Sequence, residues 1–371
     1  MKKLVLAGAG HAHLGTILNM GNLVRAGCRV SVVSPADYHY YSGMGSGLLS
    51  GLYQPSEARF HVRRMVEARG GEFISARITH IQADNHQVVL SDNRSLDYDV
   101  LSCNMGSEII PVSGAGKNSI SVKPIENLYV AGREIERRIK KGPIRVLVIG
   151  GGAAGVELAG NLFRLMKNAR DTLDITLVSK NEILSRYPPK MRLLAQASFA
   201  QRGIRVLENC QVLQLTDTEV ILGDESRLPF DFAFNASGIC PVQVFRDSGL
   251  PVSDEGGLLV NEFLQSVSHA EIFGGGDCVR FVPRNLDRVG VYAVRQGPVL
   301  YKNIAAALAS GTLHAFRPQA RYLSILNMGD GRGILSWRSC VFSGRLAFCL
   351  KNNIDKRFMK RFQVSGETNN P

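Results

Sequence analysis

Cysteine is sparse and scattered in this chain. Seven cysteines lie among 371 residues with no Cys-x-x-Cys spacing, which excludes a disulfide framework and the usual zinc-finger spacings. Their odd number reads as reduced thiols and a cytoplasmic protein. No run of about 18 apolar residues occurs, so no segment suits a membrane-spanning helix. The opening Met-Lys-Lys-Leu-Val-Leu-Ala has the start of a signal peptide, but it breaks at Gly8 into a glycine turn, the pattern of a strand entering a nucleotide site. The eight histidines are dispersed. His11 and His13 stand two apart at a helix start, which puts them off a common ligand face. No metal site and no Ser/His/Asp set is indicated. Acidic residues are outnumbered, 32 against 44 basic, for a net charge of +12. Without zinc-finger spacing or an RNA-binding aromatic signature, that excess points to anionic cofactors or an anionic membrane surface and not to nucleic acid.

What is present is a repeat. Apolar content of 45% and charged content of 20% suit a globular chain with a full core, and the length predicts two or three domains. Lys3–Ala7 reads as a strand, followed by Gly8-Ala-Gly10-His-Ala-His13, a helix to Ala26 and a strand Arg29–Ser34. Arg145–Ile149 opens a second copy with Gly150-Gly-Gly152-Ala-Ala-Gly155, a helix to about Lys167 and a strand Asp174–Ser179. Short alternating strands follow each copy and end in Asn104-Met-Gly-Ser and Asn235-Ala-Ser-Gly, then a proline, Pro111 or Pro241. Two strand–glycine turn–helix–strand units predict two dinucleotide sites in an α/β fold.

In such a site the first glycine makes the turn and the second admits a pyrophosphate to backbone N–H groups. The third lets helix and strand close up, while the helix N-terminus faces the phosphates. Gly150, Gly152 and Gly155 complete this set, whereas the first site has His13 in the third place. The acid that commonly holds a ribose about 20 residues on is absent from both. The first unit's second strand ends at Ser34 and the other at Ser179-Lys180. A hydroxyl followed by a cation is compatible with a 2′-phosphate, so NADPH is expected to serve at least comparably with NADH.

Together these residues resemble the two-dinucleotide-binding-domain flavoproteins, the group with type II NADH dehydrogenases, sulfide:quinone oxidoreductases and ferroptosis-suppressor-type quinone reductases. Ile272-Phe-Gly-Gly-Gly-Asp277-Cys resembles their second FAD fingerprint, in which the aspartate holds the ribitol. A narrower likeness is to the oxidoreductase module fused ahead of selenide, water dikinase. It is carried by Gly10-His-Ala-His-Leu, Ser34-Pro-Ala-Asp-Tyr, Tyr41-Ser-Gly-Met, Gly290–Pro298 and Ile354–Phe362. The flavoprotein occupies the whole chain in this reading, so no kinase module is expected.

The resemblance assigns Gly8, Gly10 and Asp277 to FAD and Gly150, Gly152 and Gly155 to NAD(P)H. His13, Ser34, Gly106, Gly276, Ser179 and Lys180 are the further candidate cofactor-binding residues. Glu157 matches the glutamate placed near nicotinamide and flavin. Gln296 matches one glutamine of a quinone-site motif, with Tyr292 in place of the other. The implied activity is hydride transfer from NAD(P)H to FAD and on to a small-molecule acceptor, a quinone being favoured. A chalcogen-reducing flavoprotein and a flavin redox sensor are the alternatives.

The expected layout is an FAD domain at 1–112 and 242–312, an NAD(P) domain at 113–241 and a C-terminal acceptor or membrane-side region at 313–371. On a helix, Ile354, Phe358, Met359 and Phe362 share one face, and Lys356, Arg357, Lys360 and Arg361 the other. That pattern suits an anionic bilayer and a peripheral place on the cytoplasmic membrane face, or else docking on the chain's own flavin domain. Ser365–Pro371 is expected to be disordered, and a homodimer is the expected assembly if the chain self-associates.

Overall fold

The computed structural model describes residues 1–166 and 173–367; Lys167, at the expected end of the second cradle helix, and residues 368–371 lie outside the described residues. Lys3–Ala7 is buried along its length after Lys3, as a strand covered on both faces must be. It pairs in parallel with Arg29–Ser34 on one side and Val100–Cys103 on the other. Ile272–Gly274, which carries the start of the fingerprint, adds beside Val100–Cys103, so the strand that closes the first sheet arrives after the whole second unit. The second sheet orders Ser119–Ser121, Phe232–Asn235, Ile144–Ile149, Leu173–Val178 and Arg205–Leu207, all parallel. Each sheet has a three-stranded antiparallel companion, Ile78–Asp97 and Val212–Pro229. The chain leaves and re-enters the first domain through one antiparallel ribbon, Ser107–Ile109 against Ile239–Pro241.

The C-terminal region joins the two cores. Its antiparallel sheet, Ser324–Asn327, Gly333–Trp337 and Cys340–Gly344, places Leu326, Met328, Ile334 and Val341 in the hydrophobic core of the second domain. The helix Arg345–Phe362 then inserts Met359 and Phe362 into the core of the first.

This placement decides between the two partners expected for the tail helix. Met359 and Phe362 are buried, and Phe358 stacks on Tyr41 at 4.6 Å and packs on Phe60. Those three side chains therefore dock on the first domain and are not free for a bilayer. Ser365–Glu367 is likewise ordered, because Glu367 is buried and accepts the His61 backbone N–H at 3.0 Å.

Candidate functional site

Each cradle helix has a glycine at its N-cap, which offers no capping side chain, and no acidic residue in its first turn, His11–Arg25 after Gly10 and Ala153–Leu165 after Gly152. Their positive dipole ends therefore suit a pyrophosphate. At the second cradle a side chain on Gly155 would overlap the Gly150 carbonyl oxygen. Gly150 itself has φ +120°, a conformation that favours glycine.

At the first cradle Gly8 has φ +86°, and a Cβ there would meet the Asn104 carbonyl oxygen at 2.5 Å. His13 is fully buried. Its Nδ1–H donates to Gly8 O at 2.6 Å and its Nε2 accepts from Ser102 Oγ at 2.8 Å. Burial, partly opposed by that carbonyl, lowers its pKa to about 4. With both nitrogens engaged by protein, His13 braces the turn from behind and has no group left for FAD, contrary to the expectation that it binds the cofactor.

Asn104 was not singled out as a site residue in the sequence, yet it ties this centre together. Its Oδ1 accepts the Ala12 N–H at 3.0 Å, its Nδ2 donates to Gly275 O at 2.6 Å, and its own N–H reaches Ala7 O at 2.7 Å. The repeat held the clue, since Asn235 heads the equivalent turn and donates to Ile110 O at 2.9 Å.

The second cradle and the fingerprint meet around a cavity of about 1370 Å³, and the first cradle is tied to the fingerprint behind it through Asn104. Gly150, Gly152, Ser179 and Lys180 line it from the second domain, and Gly276, Asp277, Tyr292 and Gln296 from the first. Ser179 is buried and Lys180 exposed. Ser34, at the far end of the first cradle, is buried with its hydroxyl donating to Ala36 O at 3.3 Å. Gly106 lies on the turn beside the fingerprint and is partly exposed. Asp277 Oδ2 accepts from Ser107 Oγ at 2.9 Å and pairs with Lys123 Nζ at 3.2 Å. Gln296 is buried, and its Oε1 accepts the Gly276 N–H at 2.7 Å, so it braces the fingerprint from within the cavity wall. Tyr292 donates to Gln319 O at 3.4 Å and meets Tyr322 edge-on at 5.7 Å.

Glu157 is turned toward the tail. Its Oε1 accepts the Asn327 N–H at 2.6 Å. Desolvation raises its pKa, opposed by Lys351 and by the Asn327 N–H, while Asp355 adds to the rise. Lys351 donates to Gly43 O at 2.6 Å and pairs with Asp355 at 2.7 Å. Burial alone would lower the ammonium's pKa, but Glu157 and Asp355 more than offset that and hold it charged. Tyr41 completes the group, donating to Asp355 Oδ1 at 3.1 Å, and burial, then Asp355, push its phenol well up. Lys351 and Asp355 also escaped the sequence reading. Their i, i+4 spacing on one helix was the available signal.

Cys278 and Cys103 adjoin the fingerprint, the Cys278 thiol facing the Cys103 carbonyl oxygen at 3.6 Å, and Cys210 lines the cavity. Cys340 and Cys349 are exposed on the tail, and Cys103 and Cys278 are buried. Burial raises both buried thiols, Cys278 to about 12, which leaves them without the thiolate that sulfur chemistry requires.

Residues 2–306 match the model of the pyridine nucleotide-disulphide oxidoreductases. The chain belongs to that family. It is thus an oxidoreductase of FAD and a pyridine nucleotide, and the two acid-free glycine cradles fit those cofactors. Among relatives, it is similar to ferroptosis suppressor protein 1 of Xenopus tropicalis, 25% identical over 315 residues covering 80% of this chain and 79% of that one. It is also similar to demethylphylloquinone reductase NdbB of Synechocystis, 28% identical over 291 residues, 74% and 71% of the two chains. The fold is that of NDH2 from Plasmodium falciparum in complex with NADH, with a TM-score of 0.83, 14% identity and coverage of 99% and 98%.

Proposed function

We propose that this family member is an NAD(P)H:quinone oxidoreductase. The observation that carries the reading is a cavity lined by the second cradle together with Asp277, Tyr292 and Gln296, with the first cradle joined to the same fingerprint through Asn104. Relatives named as a demethylphylloquinone reductase and as ferroptosis suppressor protein 1 support a quinone as acceptor. Gly8 and Gly10, the first cradle helix, Ser34, Gly106, Gly276 and Asp277 hold FAD; Gly150, Gly152, Gly155, Ser179 and Lys180 hold the nicotinamide dinucleotide. Bound FAD supplies a ring that takes a hydride from a dihydronicotinamide and yields two electrons to the acceptor.

The protein's part is orientation, exclusion of water and proton delivery. NAD(P)H contributes a hydride, so a quinone needs one further proton to leave as the quinol. Glu157, raised by burial above the ordinary carboxylate range and placed among Lys351, Asp355 and Tyr41, is the group suited to carry that proton. Tyr292 and Gln296 act at the acceptor side of the flavin, Gln296 by fixing the Gly276 turn.

The tail meets the membrane with a different face from the one the sequence suggested. Leu346 is 79% exposed and Leu350 and Ile354 continue its stripe, with Trp337 and Phe342 exposed on the adjoining hairpin. Arg357 and Arg361 extend the same stripe, and Lys356 and Lys360 flank it, all four exposed. An apolar stripe ending in cations suits reversible binding to an anionic leaflet, at about 1 kcal/mol per basic residue.

Purified protein is expected to carry FAD and to oxidise NADH or NADPH rapidly once a water-soluble short-chain quinone is added. It is expected to sediment with anionic liposomes at low salt only, and Leu346→Ser with Leu350→Ser should abolish sedimentation and leave short-chain turnover intact. A long-lived reduced complex that no quinone discharges would show a redox sensor instead.

A further inference from the structure

Lys123 joins the two domains at the ribitol aspartate. It follows the strand Ser119–Ser121 of the second sheet and precedes the helix Glu126–Ile139. Its Nζ lies 3.2 Å from Asp277 Oδ2 and donates to Ser107 Oγ, whose hydroxyl reaches the same carboxylate oxygen at 2.9 Å. Ser107 belongs to the ribbon through which the chain passes between domains. Side-chain exposure is 27% for Lys123 and 20% for Asp277, so the pair is shielded enough for its charge to act at short range. The histidines of this wall add no charge. His11 Nδ1 and His39 Nε2 lie 3.1 Å apart. Burial first, then Lys123, lowers His11 to about 4; burial, then His11, then Lys123, holds His39 well below its ordinary range.

We propose that Lys123 is a positioning residue that sets the redox potential of the bound FAD by neutralising Asp277. The negative charge that accompanies two-electron reduction by NAD(P)H then develops beside an ion pair and not beside a bare carboxylate. The inference rests on the reading of Asp277 as the ribitol partner. Because the cation comes from the second domain and the carboxylate from the first, the same contact links the seating of the nicotinamide domain to the electronics of the flavin.

The test is a spectroscopic redox titration of the FAD-loaded protein and of its Lys123→Gln and Lys123→Arg variants, with FAD content measured alongside. Lys123→Gln keeps a hydrogen-bond donor and removes the charge. It is expected to weaken binding of reduced relative to oxidised FAD about tenfold, a midpoint about 30 mV more negative for a two-electron couple. Lys123→Arg is expected to stay near the natural potential. Loss of FAD from Lys123→Gln with retention and a natural potential in Lys123→Arg supports the charge requirement equally. An unchanged midpoint in Lys123→Gln, an equal drop in both variants, or loss of FAD from both overturns it. A natural protein that binds no FAD contradicts the function reading itself, and shows before any variant is made.

Discussion

At the second cradle the Gly150 carbonyl oxygen sits where a side chain on Gly155 would have to go, so strand and helix touch backbone to backbone. At the first, position 13 carries an imidazole, and the Gly8 carbonyl is met by its Nδ1–H at 2.6 Å. One turn is closed by the absence of a side chain and the other by a hydrogen bond from one. The third place of the motif therefore governs how helix and strand close, and both first turns are free of acid, although Asn104 takes the Ala12 N–H at the first. The difference is in what each closure tolerates. The glycine closure is indifferent to pH, whereas the histidine closure buries an ionisable ring whose charged form burial disfavours.

The sharpest way to break this comparison is Gly155→Val. Backbone overlap cannot be relieved by a rotamer, so reduction of the bound flavin by NADH is expected to fall on the order of a hundredfold or more, with FAD stoichiometry retained. Equal loss of FAD would mean that the two cradles are not independent.

Next is His13→Leu, which strands the Gly8 carbonyl and the Ser102 hydroxyl and is expected to cost about 2–4 kcal/mol at pH 7 by denaturant titration. The pH dependence follows from the lowered pKa. Between the unfolded value near 6.5 and the folded value of about 4, the unfolded chain binds the extra proton, so stability falls as pH drops through that window and levels off below it. His13→Leu should flatten this acid limb; an unchanged limb would place the titration elsewhere, at His11 or His39.

Glu157→Gln keeps an acceptor for the Asn327 N–H and removes the proton. Quinone turnover is expected to fall about ten- to a hundredfold, with flavin reduction by NADH little changed. In the natural protein turnover should decline as pH rises through the raised Glu157 pKa, a limb that the variant lacks.

The smallest effect concerns donor choice. Lys180 is exposed, so Lys180→Ala should lower kcat/KM for NADPH only about fivefold and leave NADH unaffected; equal loss with both donors would remove Lys180 from the 2′-phosphate.

The tandem units, their glycines and the fingerprint aspartate were legible because each is a local pattern that the backbone alone explains. Asn104 was half-legible, since the repeat shows it twice but its three hydrogen bonds reach strands distant in sequence. The Glu157–Lys351–Asp355–Tyr41 group was not, because it is assembled by a tail helix that returns to the start of the first domain. The tail's apolar face was read as a stripe, but its partner, a bilayer or the chain's own core, stayed open. Periodicity reports that Met359 and Phe362 share a face, but whether a bilayer or a core covers it is decided by where the helix lands.

The central claim is that one chain holds both dinucleotides and passes two electrons from one to the other and on to a quinone. Anaerobic stopped-flow mixing of the purified yellow protein with NADH, followed by a short-chain quinone, tests it most directly. The account predicts that the flavin's visible absorbance bleaches on the first mix and returns on the second within a single turnover. A flavin that NADH fails to bleach, or that stays bleached when the quinone arrives, would contradict it.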